Sequence, residues 1–206
     1  MNEFRKISVI GLGLIASSIC LTLRQKDPTI KLVGYDKDKV VRNRAKKIGL
    51  CKVESNLDNA VSGSQLIILC VPVGQMQAVT QRLKKIIEPD ITITDVGSVK
   101  LSVIEEIESN IESVGGKYVP SHPIAGTERS GPDAGYAGLF EGRWCILTPT
   151  KKTNKKALNS LETFWKFLGM QTKIMTPEHH DLVLAVTSHA PCLLYTSDAA
   201  DDLRGV

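Results

Sequence analysis

Arg5-Lys6-Ile7-Ser8-Val9-Ile10-Gly11-Leu12-Gly13-Leu14-Ile15-Ala16, residues 5–16, reads as a strand, a glycine turn and the start of a helix. Arg5 to Ile10 is strand-like, and a helical pattern runs from Leu14 to about Arg24. The next strand spans Lys31 to Tyr35 and closes on Asp36. The glycines fit the G-x-G-x-x-G/A fingerprint, with Ala16 in the third position. Gly11 permits the tight turn, Gly13 lets the backbone approach a pyrophosphate, and Ala16 keeps helix and strand close. The helix N-terminus then faces the negative charge. Gly11, Leu12, Gly13, Leu14, Ile15 and Ala16 are therefore expected to cradle a dinucleotide. A carboxylate at Asp36 would accept hydrogen bonds from the ribose hydroxyls and repel a 2′-phosphate, favouring NAD over NADP. Lys37 and Lys39 leave room for partial tolerance of NADP. The other reading of Asp36 is an N-cap for a helical run beginning near Lys37, and one side chain cannot easily do both.

Outward from this unit the alternation continues. Gln65 to Val71 is an apolar run typical of a strand buried on both faces. Pro72-Val73-Gly74 leads into a helical stretch through Ile87, and Val71 and Pro72, where the strand ends, are expected beside the cofactor. Ile91 to Thr94 is strand-like, and Asp95-Val96-Gly97-Ser98-Val99-Lys100 opens a helix to about Ile111. After a β-like run from Lys117 to Val119 come a short helical piece (Pro132 to Leu139), a strand (Trp144 to Leu147), an amphipathic helix (Lys155 to Leu168) and a strand (Gln171 to Met175). Strands alternating with helices predict an α/β fold with a doubly wound, Rossmann-type parallel sheet over residues 1–175. Thr176-Pro177-Glu178 carries an N-cap and a first-turn proline, so residues 176–191 are expected to begin a second, all-helical domain.

Composition excludes several classes. The chain has 206 residues, 42% hydrophobic and 23% charged, which is ordinary for a globular protein. Its net charge of +4 comes with lysine pairs such as Lys46-Lys47 and Lys84-Lys85 that lack interleaved aromatics, which speaks against nucleic-acid binding. A mildly basic balance suits an anionic substrate. The five cysteines form no CxxC pair and no metal spacing, so neither a metal site nor a disulfide framework is expected. With no apolar signal stretch and no run of membrane-span length, the chain is expected to be cytoplasmic, with no membrane partner.

The chemistry is expected at Ser121-His122-Pro123-Ile124-Ala125-Gly126-Thr127-Glu128. A histidine delivered at a strand end into a Gly-rich polar loop can serve as an acid/base group at the carboxyl edge of a sheet. Ser98 has two readings: N-cap of the helix after it, or orienting partner that fixes the tautomer of His122. His189 could be a satisfied helix histidine, His179 is given no role, and Met170 and Met175 read as core filler.

Four blocks carry a resemblance: G-L-G-L-I-A-S-S at 11–18, D-V-G-S-V-K at 95–100, S-H-P-I-A-G-T-E-R-S-G-P at 121–132, and E-H-H-D with S-H-A-P at 178–191. The chain resembles the prephenate/arogenate dehydrogenase family of tyrosine biosynthesis. The resemblance implies an NAD-dependent oxidoreductase acting on prephenate or arogenate, with His122 catalytic and Ser98 its hydrogen-bond partner. It implies that Thr127 and Glu128 shape the mouth of the substrate pocket and that His180 and His189 lie on a helical wall near the substrate. It also implies a homodimer built through a longer helical domain that supplies a substrate-binding arginine. Where the family has a histidine this chain has Cys192, and Cys192 to Asp202 resembles a translated transposase adapter from sequencing libraries. Residues 192–206 are accordingly expected to be foreign to a truncated chain that is inactive alone. Two other readings share the fold. A 2-hydroxyacid-type dehydrogenase would want a lysine base from an interdomain helix, and a redox-sensing NAD module would need neither His122 nor Ser98.

Overall fold

The computed structural model describes residues 2–186; His189 and the segment from Cys192 onward lie outside them. The elements of the main sheet are β1 (Lys6–Ile10), α1 (Leu14–Lys26), β2 (Lys31–Tyr35), α2 (Lys39–Lys47), β3 (Lys52–Val53), α3 (Leu57–Val61), β4 (Leu66–Leu69), α4 (Met76–Leu83), β5 (Thr92–Asp95), α5 (Leu101–Glu112) and β6 (Lys117–Tyr118). Six parallel strands run in the order β3-β2-β1-β4-β5-β6. This is the Rossmann order, with the direction of winding reversing between β1 and β4.

The central strands are apolar because both faces are covered. β1 and β4 pair in register from Ile7↔Leu66 to Ile10↔Leu69. Alternation sends Ile7, Val9, Leu66 and Ile68 to a core shared with α1, and Ile10, Ile67 and Leu69 to one shared with α4 and α5. Burying an aliphatic side chain of this kind stabilises the fold by about 1.5–3 kcal/mol each.

The later strands depart from the expected alternation. β7 (Ser121–Pro123), β8 (Trp144–Leu147) and β9 (Gln171–Ile174) form a separate three-stranded sheet, with β7 antiparallel to β8 and β8 parallel to β9. The chain leaves the main sheet after Val119, whose N–H donates to Ile93 O; the next N–H on that side, Ser121, goes to the Asp95 side chain instead of continuing the backbone ladder. Helix α6 (Lys155–Phe167) crosses between β8 and β9 and buries Phe164 and Trp165, whose rings meet edge-on at 5.3 Å.

Two short elements, β3 and α3, were too brief to leave a periodic signal. The piece expected over Pro132 to Leu139 is a single 3-10 turn at Pro132–Ala134. Helix α7 (Pro177–Leu184) starts with Thr176 accepting from His179 N–H and with Pro177 in the first turn, as the sequence predicts. It packs against α5: Asp181 accepts from the backbone N–H groups of Lys100 (2.8 Å) and Leu101 (2.9 Å). Leu182 on its outer face and Val186 just past its end are exposed. Among the described residues, no helix is long and apolar enough to cross a membrane.

Candidate active site

The first part of the site lies where β1, β2 and β4 end. Gly11 has φ +92°, and a Cβ there would sit 2.8 Å from the backbone of Cys70 and Val71, so only glycine fits. A Cβ on Gly13 would meet nothing within 4 Å; Gly13 is also the N-cap of α1, whose first turn no side chain caps. Those N–H groups are therefore available to an anionic group. A cavity of about 480 Å³ is lined by Ile10, Gly11, Gly13, Tyr35, Asp36, Lys37, Cys70, Val71, Pro72, Gln75 and Val79. Gly11, Gly13, Asp36, Val71 and Pro72 are thus brought together as expected. Leu12 and Ala16 are buried beneath the turn, and Leu14 and Ile15 are half-buried on α1. Tyr35, Gln75 and Val79 join the lining without having been singled out. Gln75 and Val79 belong to the helical stretch after Pro72, whose facing side no motif marks.

The cap reading of Asp36 does not hold, because Asp38 caps α2 by accepting from Val40 N–H at 2.7 Å. Asp36 instead accepts from Leu12 N–H (2.8 Å) through one oxygen and from Asp38 N–H (2.8 Å) through the other. The carboxylate is held against the glycine turn itself.

The second part lies past the ends of β5 and β6. Ser98, His122, Ile124, Ala125, Gly126, Arg143 and Leu184 line a cavity of about 300 Å³. His122 sits within a strand, paired opposite Ile146, rather than in the loop after one. Its Nδ1 lies 2.8 Å from Nε2 of His180, the rings crossing at 66°. Nδ1 of His122 is thus engaged by His180, which the sequence reading did not foresee, and Ser98 lines the same cavity as His122. His180 is fully buried, and its Nδ1 lies 2.7 Å from Asp181 Oδ1. Burial lowers the His180 pKa below its usual value, against the pull of Asp181. Burial works against ionising Asp181, but donation from Leu101 N–H, His180 and Lys100 N–H outweighs it and lowers its pKa. Thr127 and Glu128 lie just along the chain and line a neighbouring cavity with Arg129, Ala134 and Tyr136. Arg143 was not foreseen: it lines the same cavity as His122 and lies in no motif.

Beneath His122 lies a buried polar network. Asp95 and Lys100 are both fully buried and ion-paired, and Lys100 Nζ also donates to Ser121 O at 2.9 Å. Asp95 accepts from Tyr118 Oη (2.8 Å), Gly97 N–H (2.8 Å) and Ser121 N–H (3.4 Å). Ser121 Oγ donates to Asp95 O at 2.7 Å. The bonds from Tyr118 and Ser121 tie β5 to β6 and to the start of β7, and Lys100 ties the same strand end to the loop before α5, so the network fixes the residue preceding His122. Burial, then the Asp95 charge, raises the Tyr118 pKa well above its usual value and keeps that phenol a donor. Among the described residues no cluster of three metal-ligating side chains occurs.

The strand order, the glycine turn and the histidine-lined cavity at one sheet edge define a Rossmann-type nucleotide-binding domain. The chain belongs to the prephenate dehydrogenase family: the model of that family's nucleotide-binding domain matches residues 19–174. A cyclohexadienyl dehydrogenase from Zymomonas mobilis is 41% identical over 192 residues, 93% of this chain and 65% of the relative. A Bacillus subtilis prephenate dehydrogenase is 34% identical over 96% of this chain and 54% of its own length. The chain therefore spans between half and two thirds of these curated relatives. Among solved structures, prephenate dehydrogenase from A. aeolicus, in complex with hydroxyphenyl propionate and NAD+, superposes with a TM-score of 0.90 at 30% identity. That match covers 98% of this chain and 70% of the other. A Synechocystis arogenate dehydrogenase gives 0.86 at 28% identity, over 98% and 70%.

Proposed function

We propose that the chain is the cofactor-binding and proton-accepting part of an NAD-dependent prephenate dehydrogenase of the cytoplasm, which oxidatively decarboxylates prephenate to 4-hydroxyphenylpyruvate. The observation that carries the reading is one sheet edge holding both an Asp36-lined glycine cavity and the Ser98–His122 cavity. The residues fit NAD: the uncapped N-terminus of α1 and the Gly11-Gly13 turn would take the pyrophosphate, and Asp36 the ribose hydroxyls. When bound, the nicotinamide supplies hydride acceptance.

The chain's own residues handle the proton and the anion. Oxidising the ring carbinol releases a proton from the hydroxyl, and neutral His122 accepts it, which contributes roughly 10²–10⁴ in rate. Ser98, on the same cavity wall, would hydrogen-bond the reacting hydroxyl or its neighbour His122. Loss of the ring carboxylate as CO₂ then aromatises the ring as a phenolate, which takes the proton back from His122 to give the phenol, without a further base. Arg143 would steer the anionic substrate, Thr127 and Glu128 would shape the mouth, and a longer helical domain with His189 would close the pocket and form a homodimer.

Binding of NAD and NADP to the 206-residue chain, by protein fluorescence, tests the cofactor half. The catalytic half is tested by joining residues 1–191 to a helical domain of the family type and following NADH formation with prephenate and with arogenate. Arogenate is included because the Z. mobilis relative is a cyclohexadienyl dehydrogenase. His122→Asn in that protein should lower turnover by about 10²–10⁴ and leave NAD affinity nearly intact. Normal turnover by the variant would overturn the assignment.

A further inference from the structure

The ring contact of His122 is one link in a chain of hydrogen bonds that ends on a helix. Asp181 stands across the N-terminus of α5 and accepts from Lys100 N–H and Leu101 N–H, one bond to each oxygen. A carboxylate in that position is held ionised by two backbone donors and by the positive end of the helix. An ionised carboxylate can only accept, so the 2.7 Å contact with His180 requires the proton on His180 Nδ1. A neutral imidazole carries one N–H, so His180 Nε2 must then be an acceptor. The 2.8 Å contact between that atom and His122 Nδ1 therefore requires the proton on His122 Nδ1. What remains on the His122 ring, at neutrality, is the Nε2 lone pair.

We infer that His180 and Asp181 are positioning residues: anchored on the α5 N-terminus, they lock His122 in its Nδ1–H tautomer and so present Nε2 as the proton acceptor. A solvated neutral histidine side chain favours the opposite, Nε2–H tautomer, so the relay reverses the ring's own preference. Burial lowers the His180 pKa, which keeps that ring neutral and able to accept near neutral pH. Among the described residues, the other charges acting on His180 are Lys100 and Asp95, a buried ion pair whose charges offset each other. The relay gives α7 a function besides walling the cavity: it links the start of the second segment to the acid/base group on β7. The inference rests on the proposed role of His122 for its catalytic meaning, while the tautomer is a property of the folded chain.

Histidine-selective ¹⁵N NMR on the 206-residue chain reads the tautomer directly, because protonated and unprotonated ring nitrogens differ widely in shift. His122→Asn and His180→Phe assign the signals. At pH above the histidine range, wild-type His122 should show a protonated Nδ1 and an unprotonated Nε2, and His180 the same. His180→Phe removes the acceptor, and His122 should move towards the Nε2–H form. His180→Gln offers a side-chain carbonyl and should retain Nδ1–H on His122, which also serves if the Phe variant does not fold. A wild-type His122 protonated on Nε2, or a tautomer that His180→Phe leaves unchanged, would overturn the inference. No substrate enters the measurement, so absence of prephenate oxidation would defeat the functional reading alone and leave this result standing.

Discussion

Replacing Lys100 by methionine tests whether the buried network holds the catalytic strand. Lys100 and Asp95 are both inaccessible, and Lys100 is the only cation bonded to that carboxylate among the described residues. Removing one partner of a buried pair costs about 3–5 kcal/mol, because the other charge stays behind uncompensated. Here Asp95 would keep Tyr118, Gly97 and Ser121 as donors, which places the loss near the lower end, about 3 kcal/mol. For a domain of this size each kcal/mol lowers Tm by about 2–4 °C, so a fall of about 6–12 °C is expected. Urea unfolding followed by circular dichroism gives the free energy. The double variant Asp95→Asn/Lys100→Met removes both charges and should recover most of the loss, since the single-variant penalty belongs to the orphaned carboxylate. A Lys100→Met loss under about 1 kcal/mol, or a double variant no more stable than the single, would refute the reasoning.

Three further outcomes follow from the site. Asp36→Ser removes a carboxylate already held by Leu12 and Asp38 N–H; it should weaken NAD binding by roughly 10–100-fold, from about 1.5–3 kcal/mol for a charge-assisted bond, and relax exclusion of NADP. Titration with both cofactors checks this, and an unchanged preference would limit Asp36 to a structural role. Gly11→Ala forces a Cβ into the backbone of Cys70 and Val71 at φ +92° and should cost about 1–3 kcal/mol in urea unfolding while abolishing cofactor binding. The pH dependence of stability should carry the mark of His180. Its folded pKa lies below the usual 6.5, so between the two values the unfolded chain binds the extra proton. That contribution is fully present above pH of about 6.5 and is lost as pH falls towards the folded value. His180→Phe should flatten this limb of the profile, and an unaltered slope would contradict the cause given.

Much of the fold was legible because its signals are local. The run Arg5 to Ala16, the apolar strand at Leu66–Leu69 and the Thr176-Pro177 helix start depend on periodicity, glycine conformation and capping within a few residues. Asp36 and His122 were legible for the same reason, each standing at a fixed offset from a strand or motif. The sequence read alone could not separate β7, β8 and β9 from the main sheet, because a strand's period says nothing of which partner it pairs with. Nor could it choose between the two readings of Asp36; the structure decided by giving the α2 cap to Asp38, two residues on.

The relations that set the chemistry are not local at all. His122 meets His180 across 58 positions, and Asp181 reaches Lys100 and Leu101 across 81 and 80. A carboxylate, a lysine or a histidine looks the same in a sequence whether it is solvated or buried. Asp95 and Lys100 read as part of a motif, yet only the packing of β5, β6 and β7 makes them a closed ion pair. The residue types and their approximate elements were thus determined by the sequence itself. Which nitrogen of His122 carries its proton was decided by tertiary structure, because a tautomer depends on what stands 2.8 Å away.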